Sequence, residues 1–233
     1  MFDFTEKVVL VTGATGSLGS AVAEAFHAAG ARLLLGDRSV ERLEERYGGD
    51  PRVVLQSVDL LNPEQVEAII YAGVQHFGKI DVLANTVGGF RASRVQDMSL
   101  DDWDFMMDLN VRTAFIVSRA AVLQMSAQGF GKIVHVAARN ALQGSARVSA
   151  YTASKSGVIR LVESLSAEVK DANINVNCVL PGTIDTAKNR DERPNADYSK
   201  WVPPAAIADV ILFLASDAAR AIHGAAVPVY GRS

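Results

Sequence analysis

Residues 7–12 (KVVLVT) form a short, β-branched apolar run that stops at Gly13, and an amphipathic stretch follows over residues 17–29. A strand that turns through glycine into a helix restricts this chain more than any other stretch, because repeats of such a unit build a parallel sheet covered by helices. The repeats are present. Residues 32–36 read as a second strand, 52–58 as a third followed by a helix over 63–77, and 80–84 as a fourth followed by a long helix over 100–128. Residues 132–137 form a fifth strand, a helix starting near Tyr151 runs to about Lys170, and 174–180 form a sixth strand ending at Pro181-Gly182. After a polar stretch over 183–201, which lacks sustained periodicity, a last helix over 203–215 and a closing strand over 225–230 complete the pattern.

The turn residues carry the first chemical signal. Gly13, Gly16 and Gly19 are spaced so that the backbone can turn tightly, approach a pyrophosphate and pack the helix against the strand, with Thr15, Ser17 and Leu18 beside them. The second strand ends in Asp37, whose carboxylate can accept both hydroxyls of an adenosine ribose and repels a 2'-phosphate, which favours NAD(H) over NADP(H). Arg38 next to it softens that preference and leaves NADP(H) open. Asp59, followed by Leu60, closes the third strand, where it can touch the adenine or serve as turn and cap chemistry ahead of the next helix. After the fourth strand, Asn85, Val87 and Gly88 lie in a glycine-containing loop that permits close ligand approach, as a plain connection also would. Ser99 is a helix cap with Asp101 and Asp102 in the first turn, so those carboxylates are read as structural.

Tyr151 and Lys155 stand four residues apart and share a helix face, so the ammonium is expected to lower the phenol's pKa and make it an acid or base for a carbonyl or imine. Asn110 sits inside the long helix after the fourth strand, where a polar residue in an apolar stretch wants a water chain or a backbone carbonyl as partner. The irregular stretch from Thr183 to Trp201 follows the end of a strand and reads as a substrate loop or a mobile connection.

Composition narrows the classes. A net charge of −3 offers no footprint for nucleic acid or an anionic membrane surface, and no apolar run approaches the ~18 residues of a membrane span. Cys178 is the sole cysteine, which rules out an intrachain disulfide, and the four histidines share no spacing, so no metal site is expected. Cys178 and all four histidines are read as structural. With no leader pattern ahead of the first strand, the expectation is a soluble protein of the reducing cytoplasm acting on a small molecule.

On these residues the sequence resembles the short-chain dehydrogenase/reductase family over essentially its whole length. Thr12-Gly13 with Gly16 and Gly19, Asp59, Asn85 to Gly88, Asn110, Tyr151 with Lys155, and Pro181-Gly182 with Thr186 match its ordered motifs. The resemblance implies an α/β fold: a Rossmann domain over residues 1–233, with a doubly wound sheet of seven parallel strands flanked by helices and residues 183–202 as substrate loop or lid. It implies NAD(H) or NADP(H) along the sheet's carboxyl edge, with Pro181, Gly182, Thr183, Ile184 and Thr186 among the cofactor contacts, and homodimers or homotetramers through the long helices. Tyr151 would be the acid/base, Lys155 would hold the nicotinamide ribose and tune Tyr151, and Asn110 would anchor a proton-relay water.

Two departures stand out. The family's second glycine position is Ser17 here, with Gly16 one place earlier, and its catalytic serine position, thirteen residues ahead of Tyr151, is Ala138. Dihydropteridine reductases are similar in both respects, and the stretches Ala138-Arg139, Thr183-Ile184-Asp185-Thr186, Asn189-Arg190 and Asp197-x-Ser199-x-Trp201 also resemble theirs. A quinonoid dihydropterin is already electrophilic and needs little carbonyl polarisation. Other strings, such as Phe77-Gly78-Lys79-Ile80-Asp81, resemble ordinary bacterial members, so a carbonyl substrate stays open. The expected function is NAD(P)H-dependent hydride transfer to or from a small electrophile; the alternative, motivated by Ala138, is a catalytically weak NAD(H)-binding sensor or scaffold.

Overall fold

Every residue of β1 (Val8–Thr12) is buried, and its side chains divide by alternation between two cores. Val9 and Val11 enter one apolar cluster, Val8 and Leu10 the other, so this strand is covered on both faces. The computed structural model describes residues 2–232. Within them β1 is joined by β2 (Arg32–Asp37), β3 (Val53–Ser57), β4 (Val82–Asn85), β5 (Gly131–Val136), β6 (Ile174–Pro181) and β7 (Ala226–Val229) in one sheet of order 3-2-1-4-5-6-7. All pairings are parallel.

Helices occupy both faces. α1 (Ser17–Ala28) and α8 (Pro204–Ala215) pack together on the Val9 side through Val22, Phe26, Ile207 and Ile211. On the other side lie α3 (Pro63–Phe77), α5 (Thr113–Gln128) and α6 (Ser149–Val169), with Ile69, Val117, Met125 and Val162 in the core. The fold is the doubly wound parallel α/β sheet expected from the alternation. Because β1 pairs with β2 on one side and β4 on the other, the chain changes direction across the sheet between β1 and β4, and a crevice opens at their carboxyl ends.

Three elements depart from the sequence reading. The helix expected over 100–128 is α4 (Leu100–Met107) and α5 joined by a five-residue π segment, Asp108–Arg112. The apolar period continues across a π turn, so pattern alone does not reveal the extra residue. A short helix, α2 (Glu41–Tyr47), lies between β2 and β3, where too few apolar positions gave a signal; Leu43 and Tyr47 bury its inner face. The polar stretch after β6 contains α7 (Ala187–Glu192) and a 3-10 turn, Tyr198–Lys200. Its ends are tied together: Asp185 N donates to Val202 O at 2.8 Å, and Val202 N to Thr183 O at 2.9 Å. Ser99 caps α4 as expected, accepting from Asp102 N at 3.0 Å.

Candidate active site

A cleft of about 1000 Å³ opens at the carboxyl ends of the strands. Of the residues expected to hold a cofactor, Gly13, Gly16, Ser17, Leu18 and Gly19 line its β1–α1 end, and Gly88, Pro181, Gly182, Thr183 and Ile184 line it further along. Tyr151 and Lys155 lie in the same cleft, on α6. The turn is built for close backbone approach: a Cβ on Gly19 would stand 2.0 Å from Gly13 O. A glycine-lined turn opening into a helix at the switch of a parallel sheet suits the diphosphate of a dinucleotide, so the residues present fit that group.

Other expected contacts do not line the cleft. Asp37 lies beside the turn, where its Oδ2 accepts from Thr15 N at 3.0 Å and Thr15 Oγ1 at 2.6 Å, and its Oδ1 from Arg38 N at 2.8 Å. Thr15 thus fixes the carboxylate at the end of β2. Asp59 accepts from Leu61 N at 2.9 Å, which is turn chemistry, while the cap of α3 is Asn62, accepting from Gln65 N at 3.0 Å. Leu60 is buried in the core beneath α3. Val87 packs against Gly13, and Thr186 is turned into the cap of α7, accepting from Asn189 N at 3.2 Å.

Asn85 points into the interior. Its Oδ1 accepts from Thr12 Oγ1 at 2.6 Å, and its Nδ2 donates to His135 Nδ1 at 3.1 Å. That acceptor role puts the imidazole proton on Nε2, which donates to Ser118 Oγ at 2.8 Å. Burial, with the Lys155 charge adding to it, pushes His135 down to about 3, so the ring is neutral. The side chains of Asn85 and His135 therefore brace β1, β4 and α5 under the cleft floor.

Asn110 is 1% exposed, in the π segment, and its amide is fully engaged. Oδ1 accepts from Gly89 N at 3.0 Å, while Nδ2 donates to Gly89 O at 3.1 Å and Ser154 Oγ at 3.0 Å. The side chain anchors the loop after β4 to α6. Gly88 is pressed against this cluster: a Cβ there would lie 2.8 Å from Lys155 Nζ and 2.9 Å from Asn110 Oδ1.

Lys155 is 4% exposed, and its Nζ donates to Val136 O at 2.7 Å. Burial brings its pKa down to about 8. Burial also pushes the Tyr151 phenol up to about 12. The expected lowering by Lys155 is not found: desolvation sets the shift, and Tyr151 stands protonated at neutral pH. Phe90 packs edge-on against Tyr151, ring centroids 4.9 Å apart; nothing in the spacing of the sequence pointed to it.

Beyond Tyr151 the cleft is lined by Ala138, Arg139, Asn140, Gln143 and Ser145, with the Arg139 guanidinium over the Tyr230 ring, 5.2 Å from its centroid. Ala138 is buried, and on this wall Asn140 Nδ2 donates to Ser145 Oγ at 3.3 Å. Lys188, Asn189, Glu192 and Arg193 of the α7 segment close the outer side. That segment is held by Asn189 Nδ2 donating to Ile184 O at 2.7 Å and by a two-pronged Arg190–Asp185 ion pair. Among the described residues no group of three His, Cys, Asp or Glu is placed to hold a metal ion, and no helix is long and apolar enough to cross a membrane.

Residues 7–197 match the family model for short chain dehydrogenases. The chain is 33% identical to 2-dehydro-3-deoxy-D-gluconate 5-dehydrogenase of Escherichia coli (strain K12), an alignment covering 99% of this chain and 96% of the relative. It is 29% identical to an uncharacterized oxidoreductase of Staphylococcus aureus (strain USA300) and 28% to one of Staphylococcus haemolyticus (strain JCSC1435), each over 91% of this chain and 92% of the relative.

Proposed function

Because the chain belongs to the short-chain dehydrogenase family and is thereby an NAD(P)-dependent oxidoreductase, we propose that Tyr151 is its acid/base and that the substrate is a small electrophile, a quinonoid dihydropterin or a carbonyl compound. The observation that carries this reading is the juxtaposition of Tyr151 and buried Lys155 in the cleft that opens beside the Gly13–Gly19 turn. Gly13, Gly16 and Gly19 would hold the diphosphate and Asp37 the adenosine ribose, which favours NAD(H) over NADP(H). Lys155 would hold the nicotinamide ribose. The nicotinamide, when bound, supplies or takes the hydride.

The protein's own part is positioning and proton transfer. Tyr151, protonated at neutral pH, donates its phenolic proton to the atom that gains charge on reduction. Lys155, fixed on Val136 O, places positive charge beside the phenolate left behind. Asn110 holds the Gly88–Gly89 loop against α6, and the segment over 183–202 acts as substrate loop. Ala138 offers no hydroxyl to polarise a ketone, which favours the already electrophilic quinonoid; the name of the Escherichia coli relative supports the carbonyl arm. The long helices would pair copies of the chain into a dimer or tetramer.

The test is NADH consumption, beside NADPH, against quinonoid dihydropterin, quinones and a panel of ketones and aldehydes, with enzyme-free controls. Tyr151→Phe should lower kcat by about 10²- to 10⁴-fold while leaving NADH binding intact. Full turnover by the variant on an accepted substrate would remove Tyr151 from the chemistry. Ala138 also favours a second reading, an NAD(H)-binding sensor; tight NADH binding with no turnover across the panel would select it.

A further inference from the structure

Phe90 has no place in either core, yet the backbone on both sides of it is pinned. Its side chain is 46% exposed and lines the cleft, where its ring meets that of Tyr151 at 78° with the centroids 4.9 Å apart. Nearly perpendicular rings at this separation attract one another, so the pair has a preferred geometry. On the N-terminal side, Gly89 N donates to Asn110 Oδ1 and Gly89 O accepts from Asn110 Nδ2. A Cβ at Gly89 would collide with the Leu109 side chain, so this backbone rests directly on the π segment. On the C-terminal side, Arg91 pairs with Asp102, and its guanidinium lies 3.8 Å from the centroid of the Phe105 ring; both partners belong to α4. Further along, Ser93 N donates to Arg147 O at 2.8 Å. Arg147 has left-handed backbone, φ 71°, which a residue bearing a side chain keeps only where its surroundings hold it. A loop fastened at Gly89, Arg91 and Ser93 sets the position of the aromatic ring between them.

We propose that Phe90 is the positioning residue for Tyr151: its ring fixes the orientation of the phenol and keeps water from it. This rests on the reading of Tyr151 as acid/base and deepens it. Lys155 hangs on Val136 O and fixes its own ammonium, whereas the contact with Phe90 reaches the phenol ring from a separate element, the loop after β4. A reacting group displaced by about 1 Å loses much of its effectiveness, so a ring that holds Tyr151 in place acts on the rate without touching the cofactor. Burial is what pushes the phenol up to about 12, and Phe90 is part of what buries it. The charged groups that line the cleft with Tyr151 are Lys155 on α6, Arg139 in the β5–α6 connection, and Lys188, Glu192 and Arg193 of the α7 segment; on the Phe90 side, Arg91 is paired with Asp102. Substituting Phe90 leaves all of these charges in place, so a change in the phenol's titration reads the shielding by its ring.

The experiment measures Phe90→Ala and Phe90→Leu beside the wild type. The titration of Tyr151 is isolated by subtracting the ultraviolet tyrosinate signal of the Tyr151→Phe counterpart of each protein, and it needs no turnover. Loss of the ring should bring the phenol down by roughly one unit toward its ordinary value of about 10, and Phe90→Leu, which still excludes water, should restore most of the shift. With an accepted substrate, Phe90→Ala should lower kcat about tenfold and leave KM for NADH unchanged. The alkaline limb of kcat for reduction should move to lower pH in the same variant, because the reaction uses the protonated phenol. An unshifted Tyr151 titration in Phe90→Ala, a shift that Phe90→Leu fails to restore, or an undiminished kcat overturns the proposal and leaves the oxidoreductase reading intact. A shift in Phe90→Ala that Phe90→Leu restores, with no turnover of any compound by the wild type, supports the hold of Phe90 on Tyr151 and counts against the oxidoreductase reading instead.

Discussion

A methyl group at Ala138 and a protonated phenol at Tyr151 face the same cleft, and together they determine which electrophiles need help. A ketone oxygen held only by Tyr151 lacks one donor, a loss on the order of 2.7 to 4 kcal/mol of transition-state stabilisation where such donors have been removed. Ala138→Ser should therefore raise kcat/KM for ketones, by up to about 100-fold, and do little for a quinonoid; paired assays on both substrate types check the ordering, and a larger gain on the quinonoid would contradict it. Beneath them His135 makes a prediction about stability. Its folded pKa is about 3 against about 6.5 unfolded, so between those values the unfolded chain binds the extra proton and stability falls as pH falls. From pH 6.5 downward this residue should remove about 1.4 kcal/mol per pH unit, read as a declining denaturation midpoint between pH 7 and 5. His135→Asn should flatten that slope. That Tyr151, Lys155 and the glycine turn share one cleft was legible because spacing on one helix or one turn fixes which residues face the same side. The interior partners of Asn85 and Asn110 were not legible: each amide is engaged by groups that come from other elements, and no local pattern encodes those.

At the scale of elements, the π segment between α4 and α5 is what turns Asn110 inward, so that one amide ties the loop after β4 to α6. Asn110→Ala would leave Gly89 N and O without that partner in a buried site, a cost of roughly 1 to 3 kcal/mol for a group left unsatisfied. The expected outcome is a lower denaturation midpoint together with a fall in kcat, because the released Gly88–Gly89 loop lies directly against Lys155. Lost stability with undiminished kcat would mean that the loop need not be held for turnover. Strands and their order of appearance could be read from β-branched runs, since a strand buried on both faces has few alternatives to apolar residues. The helix α7 and the tie between Ile184 and Val202 could not, because α7 has no buried residue and its stability comes from capping and ion pairs rather than an apolar stripe.

At the scale of the whole molecule, both faces of the sheet are already covered, yet the outer surface of the α4–α5 unit keeps large apolar groups in solvent. Phe115 is 53% exposed and Leu123 63%, and with Arg119 between them they repeat at four-residue intervals along one face of α5; Leu100 and Trp103 extend the exposed apolar surface onto α4. Isolated exposed apolar residues are ordinary, whereas a run on adjoining elements is the pattern that association covers. A two-fold contact through these helices would bring the same stripe from each copy together, as closed symmetric oligomers require. The protein should therefore sediment as a dimer or tetramer, and Phe115→Glu with Leu123→Glu should shift it to a monomer. Since association stabilises the folded chain by mass action, the double variant should also lose the concentration dependence of its denaturation midpoint. If about 2 kcal/mol per chain comes from the contact, the midpoint falls by roughly 4 to 8 °C for a chain of this size. The cleft is built from residues of one chain, so the monomer should still bind NADH, and a wild type that sediments as a monomer at micromolar concentration would show that this face is simply solvated.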